Sequence, residues 1–288
     1  MNGTDQPAAQ PTSQPTSQSP DAEYVLGTNQ AEMQRLGFQH RLWSAPAQRL
    51  WQRAGLRQGV SVLDAGCGPG FASLEMAQLV THTGRVVGVD ESAPYVGFAS
   101  AQAQSRVLPH ASFFRGDVAQ IDRVLGAQGI EPGSFDIVYM RWVMCFVPDP
   151  AAVLKAVWRM LRPGGRLCVQ DYFAYDSMCA SPTSDIFKTI IDAVDRSWRD
   201  RGGDPDIMGR LPAMAHALDM RLDHIARVEI GTSRPGLPMW DWPDSFWGVF
   251  LPRLEELGYI TAAQHRAFME QWAQLSANPA AFMHLPPV

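Results

Sequence analysis

The sequence predicts a doubly wound α/β fold: a mostly parallel β-sheet covered by helices on both faces. Three observations lead there. Between about residues 57 and 175, short apolar runs alternate with helix-length segments, the pattern of strands buried on both sides. Three of those runs end in or just before an acid, at Asp64, Asp90 and Asp117. A glycine-rich turn, Gly66-Cys67-Gly68-Pro69-Gly70, follows the first run directly, at the strand end where such a sheet opens its ligand crevice.

Residues 1–20 are rich in Gln, Pro, Ser and Thr. They lack a signal peptide's apolar stretch and read as a disordered tail, unable to bury enough apolar surface to order itself. Over residues 21–56, Leu36, Trp43, Leu50 and Trp51 recur at helical spacing, and Pro46 is expected to break the segment into two helices. This region reads as an N-terminal helical lid. The core, residues 57–175, follows. Its strands are expected at Val60–Asp64, Arg85–Asp90, Ala111–Asp117, Phe135–Trp142 and Arg166–Asp171. Helices are expected over Phe71–Val80, Ser92–Val107 and Ala151–Leu161, with a turn at Arg162-Pro163-Gly164-Gly165. Residues 176–288 read as a helical cap with a sheet edge, completing a substrate pocket. Helices are expected there over Pro182–Asp200, Leu211–Met220 and Pro252–Ser276, with a strand over His224–Gly231. Between them lies an aromatic segment: Trp240, Trp242, Phe246, Trp247 and Phe250.

Composition excludes several functions. The 288 residues carry a net charge of −5 with scattered Lys and Arg, a poor basis for binding nucleic acid. No apolar run is long enough to span a membrane, so a cytoplasmic protein is expected. Cys67, Cys145, Cys168 and Cys179 form no CxxC or Cys/His pattern; they read as buried, reduced thiols, and no metal is expected.

The glycine turn departs from the dinucleotide fingerprint. Its third glycine, Gly70, falls one place early, and Phe71 holds the expected slot. Asp64 stands two residues before Gly66, where it would repel a pyrophosphate and suit a cation. S-adenosylmethionine carries an ammonium and a sulfonium and has no phosphate. An acid at Asp90 can accept both ribose hydroxyls. Asp117 can accept from the adenine amine, and the Val118 amide can serve a ring nitrogen.

With VLDAGCGPG (62–70), GRVVGVDES (84–92), FFRGDV (113–118), FDIVYMRWV (135–143) and LRPGGRL (161–167) in this order, the chain resembles class I S-adenosylmethionine-dependent methyltransferases, in their small-molecule and quinone-type branch. The resemblance implies a Rossmann-like, seven-stranded sheet with its last strand antiparallel, expected near His284–Val288. It implies that Asp64, Ala65, Gly66, Cys67 and Gly68 face the methionine part of the cofactor. Asp90 and Glu91 fall on the ribose, Gly116, Asp117 and Val118 on the adenine, and Arg141 near the sulfonium. In the lid, Tyr24, Gln39 and Arg41 are expected to close over the cofactor, with Arg41 able to pair with its carboxylate.

Methyl transfer is an in-line displacement that rests on positioning and desolvation. A general base is needed only where the acceptor must lose a proton. His40 is the first candidate, ahead of Asp171, Tyr172 and His216. The expected reaction carries a methyl group to an oxygen or carbon, less readily a nitrogen, of a small apolar or aromatic metabolite. The other open class is a cofactor-binding regulatory protein without transfer. The aromatic segment can be cap core, an apolar substrate wall or a homodimer contact.

Overall fold

The computed structural model describes residues 30–228 and 231–288; the expected tail over 1–20, and Tyr24, lie outside them. Five apolar runs form the core sheet: β1 (Ser61–Ala65), β2 (Arg85–Asp90), β3 (Ala111–Arg115), β4 (Phe135–Arg141) and β5 (Leu161–Gln170). All pair in parallel, in the order β3-β2-β1-β4-β5. β1 and β4 are buried nearly throughout, which is why their sequences are continuous rather than alternating. The strand order reverses between β1 and β4, and a crevice opens beyond their carboxyl ends.

Helices α2 (Phe71–Val80), α3 (Ala93–Ser105), α4 (Ile121–Gly126) and α5 (Pro150–Met160) cover the sheet. Ser92 caps α3 and Asp149 caps α5, each accepting a backbone N–H of the first turn. Pro94 and Pro150 fall in those first turns, where no N–H is needed.

Five expectations are corrected. Pro46 does not split the lid: α1 (Gln30–Ala54) is one 25-residue helix with the proline inside it. Its buried Trp43, Ala47 and Trp51 belong to the apolar core, and that packing offsets the missing backbone bond. Residues 162–165 are not a turn ahead of a strand. β5 starts at Leu161, which pairs with Phe135, and the register shifts before Ile137 meets Arg166. The long final helix is two. α8 (Pro238–Glu256) continues past Pro252, and α9 (Ala262–Ala277) restarts under a capping box of Thr261 and Gln264. The seven-stranded sheet is absent among the described residues. Instead β6 (Cys179–Ser181), β7 (Thr232–Ser233) and β8 (Phe282–His284) form a separate antiparallel sheet. The strand expected over His224–Gly231 has no regular structure through residue 228.

Helices α6 (Asp185–Arg199) and α7 (Leu211–His216) complete the fold. One buried apolar cluster runs from Leu63 and Val138 in the sheet to Phe187 on α6, Trp247 on α8 and Trp272 on α9, so the cap shares the core of the sheet. Among the described residues no helix is long and apolar enough to cross a membrane.

Candidate active site

A cavity of about 780 Å³ opens at the carboxyl ends of β1, β2 and β4. One half is acidic. Gly66 and Gly68 hold positive φ angles of 76° and 53°, a conformation glycine adopts without strain. A Cβ on Gly66 would strike the Val143 side chain, whereas one on Gly68 would stand in open space. The turn thus leaves a cradle for a ligand at Gly68. Asp90 fixes that cradle, accepting the Gly68 N–H at 2.8 Å and the Ser92 N–H at 3.0 Å. Asp64 is buried and accepts from Ser73 Oγ at 2.5 Å. Burial pushes its carboxyl up to about 6, against the lowering pull of Ser73 and Arg141. Burial also raises Asp90, and raises Glu91 with help from the charges of Asp90 and Asp117. A carboxylate wall of this kind, with Asp64 buried at its base, is relieved by a cation and made worse by a phosphate.

The other half is aromatic. Trp142 sits at φ 52°, an unusual conformation for a bulky residue. Its N–H bonds to the Gln170 carbonyl at 2.9 Å. Its indole stacks on Trp242 at 5.8 Å and lies 6.0 Å from Tyr172. Asp171 anchors the loop that follows, accepting the N–H groups of Val143 and Cys145 at 3.2 Å each, and that of Tyr172 at 2.9 Å. Burial pushes Asp171 up to about 6 despite those bonds. Tyr175 and Trp198, 4.8 Å apart, extend the wall. The lid is pinned to it: Trp242 Nε1–H and Arg35 both donate to Gln39 Oε1, at 2.8 and 2.9 Å. Arg35 also donates to both carboxylate oxygens of Glu32.

Most of the residues singled out in the sequence border this cavity: Asp64, Gly66, Cys67, Gly68, Asp90 and Glu91. Gly116, Asp117, Val118 and Arg141 join them, with Gln39 from the lid. Three do not. Ala65 alternates to the other side of β1 and packs in the core. Arg41 is exposed and lies over the Phe38 ring. It is two residues from Gln39, about 200° around the helix, whereas Arg35 shares the inward face and lines the cavity. His40 is off the wall with both ring nitrogens engaged, Nε2 by Glu75 at 2.9 Å and Nδ1 by Arg141 at 3.0 Å; this placement does not suit a general base. Of the remaining base candidates, Asp171 is bound to backbone amides, and His216 is exposed at the end of α7. Burial raises the Tyr172 hydroxyl well above its ordinary value. Arg35, Tyr95, Tyr139, Trp142, Tyr175 and Trp198 line the cavity without having been singled out as site residues. The i, i+4 spacing of Arg35 and Gln39 was the one local signal. Among the described residues no group of three or more His, Cys, Asp or Glu is placed to hold a metal ion.

Residues 56–201, just over half of the chain, match the family model described as a methyltransferase domain. The chain is 32% identical over 133 residues to a demethylmenaquinone methyltransferase of Lactococcus lactis, covering 46% of this chain and 49% of that protein. It is 31% identical over 167 residues to a trans-aconitate 2-methyltransferase of Deinococcus radiodurans, covering 56% and 58%. The chain thus spans about half the length of these curated relatives. In fold it resembles a solved candidate methyltransferase from Bacillus halodurans, with a TM-score of 0.56 at 18% identity over 83% of this chain and 94% of that one.

Proposed function

Since the chain belongs to the methyltransferase-domain family, we propose that it is an S-adenosylmethionine-dependent methyltransferase. It moves a methyl group to an oxygen or carbon, less readily a nitrogen, of a small apolar or aromatic metabolite. One observation carries the reading: a single cavity joins a wall of carboxylates around a glycine cradle to a wall of aromatic rings. The first suits a cationic, phosphate-free donor. The second suits an apolar acceptor.

In this reading Asp64 and the Gly66–Gly68 turn hold the amino-acid end of the donor, with Cys67 and Arg141 beside it. Asp90 and Glu91 take the ribose; Gly116, Asp117 and Val118 take the adenine. S-adenosylmethionine supplies, when bound, a methyl carbon already activated by its sulfonium. The protein then has to orient an acceptor and exclude water. Trp142, Tyr172 and Trp242 provide the orienting surface. With the donor bound, the methyl group would pass to an oxygen lone pair or to the π pair of an enol-type carbon, sulfur would keep the electrons of the S–C bond, and any acceptor proton would leave to solvent. We assign no general base, because His40 and Asp171 are each committed to other partners. The acceptor is therefore one with an acidic hydroxyl or an enol-type carbon, nucleophilic without strong base assistance.

The same reading treats residues 21–56 as the lid, 57–175 as the donor-binding core and 176–288 as the cap. It gives a cytoplasmic enzyme whose partner is a small molecule, with no nucleic acid bound. Cys67, Cys145 and Cys168 are buried, whereas Cys179 is exposed, which corrects the expectation of four buried thiols.

The test is incubation of the purified protein with a small-molecule extract and methyl-deuterated S-adenosylmethionine, read by mass spectrometry. A labelled apolar metabolite is expected. Donor binding without any labelled product would overturn the transfer reaction.

A further inference from the structure

One part-buried cluster reaches the site through Arg141, and two of its members, His40 and Glu75, have no part in the mechanism above. Glu75 on α2, His40 on α1 and Arg141 at the end of β4 form a chain of contacts that ends on the cavity wall. The Glu75 carboxylate collects His40 Nε2 at 2.9 Å, Ser44 Oγ at 2.9 and 3.0 Å, and the Gln48 amide. Burial alone would raise Glu75, but the hydrogen bonds from His40, Gln48 and Ser44 outweigh it and hold the carboxyl down to about 2. Glu75 is therefore an acceptor only, and it dictates the imidazole tautomer. Nε2 carries the proton and donates to Glu75, leaving the Nδ1 lone pair to accept from Arg141 Nη2 at 3.0 Å. Burial, together with the charges of Arg141 and Arg41, draws His40 below its ordinary value in spite of Glu75, which keeps the ring neutral.

The guanidinium is thereby fixed on two sides. His40 holds Nη2, and the Trp142 ring lies 5.3 Å from the guanidinium carbon. Its other terminal nitrogen, Nη1, is buried with no partner, a costly arrangement for a charged donor. On the neighbouring strand Asp64 stands opposite Tyr139, two residues before Arg141. An anion and a cation at adjacent strand ends match the two charges of an α-amino acid.

We propose that His40 and Glu75 are positioning residues that hold Arg141 to receive the carboxylate of a zwitterionic amino-acid end, while Asp64 receives its ammonium. This rests on the methyl-donor reading, which supplies such an end.

The experiment is calorimetric titration of the full chain with S-adenosylhomocysteine and with its decarboxylated analogue. The variants are His40→Gln, His40→Asn and Arg141→Lys. Gln keeps a donor near the Nε2 position but loses the acceptor facing Arg141, so S-adenosylhomocysteine should bind about tenfold more weakly. Arg141→Lys should lose as much, since a point charge replaces the planar fork. Asn keeps an acceptor near Nδ1 and should stay within about threefold of the parent. All four proteins should bind the decarboxylated analogue equally. Equal losses on both ligands would make His40 merely structural, and unchanged affinity for S-adenosylhomocysteine would remove Arg141 from the carboxylate; either result overturns the proposal. A parent chain that binds neither ligand would instead sink the methyl-donor reading, and this proposal with it.

Discussion

Asp64, Asp90 and Asp117 reach the cavity from the ends of consecutive strands and the turns after them. Trp142, Trp198 and Trp242 reach it from the loop after β4, from α6 and from α8. The acidic half is thus local in sequence and polar, and the aromatic half is dispersed and apolar. The contrast has a physical origin. A hydrogen-bonding carboxylate must stand at a defined backbone position, as Asp90 does when it accepts the Gly68 N–H. A dispersion surface asks only for area, so any element that packs nearby can supply it.

Asp64 separates the two halves most strongly. Replacing it with alanine should weaken S-adenosylhomocysteine binding about a hundredfold in a calorimetric titration, the scale of truncating one partner of a buried charge pair. Unchanged affinity would dissolve the distinction between the halves. The pH dependence comes next. Asp64 titrates near 6 in the ligand-free protein, and a bound cation favours its ionised form. Affinity should therefore be level above pH 7 and fall about tenfold between pH 7 and pH 5. That fall should vanish in Asp64→Ala.

A smaller effect sharpens the other side. Trp242→Phe keeps the ring but removes the Nε1–H bond to Gln39, loosening the lid where it meets the aromatic wall. The acceptor KM should rise about fivefold, the worth of roughly one hydrogen bond, with donor affinity unmoved. The smallest effect is on stability. Asp64 holds its proton more tightly folded, near 6, than unfolded, near 3.8. Stability therefore declines as pH rises from about 4 through 6 and stays lowered above. Asp64→Asn avoids burying that charge, so its Tm at pH 8 should exceed the parent's by about 2–4 °C, and the gap should close at pH 4. A binding site that gains stability when its charge is removed is one whose carboxylate is held for function.

The same contrast decides how much could be read from the sequence. The five core strands along the chain, the glycine turn and the acids after the strands are legible because each depends on a few consecutive residues and their backbone. Arg35 and Arg41 illustrate the limit. Both are lid arginines on the stretch before Pro46, and only the phase at which that helix packs turns one inward and the other out, which no local pattern around either residue records. His40 is harder still. Its partners lie 35 and 101 positions away, on α2 and β4, and nothing near it in the chain distinguishes a base from a strut. The antiparallel sheet of β6, β7 and β8 went unforeseen because strands of two and three residues leave no periodicity to detect.

Four of the nine tryptophans, Trp142, Trp198, Trp242 and Trp247, border the cavity. The molecule therefore carries its own optical probe. Each indole emits according to the polarity around it, so the arrival of an apolar guest and the departure of water would shift and brighten the emission with no added dye. The stacked Trp142 and Trp242 are close enough for their transitions to couple, giving a near-ultraviolet dichroism signal that registers changes in their mutual tilt. A library of candidate acceptors can thus be screened by light alone, before any product is sought.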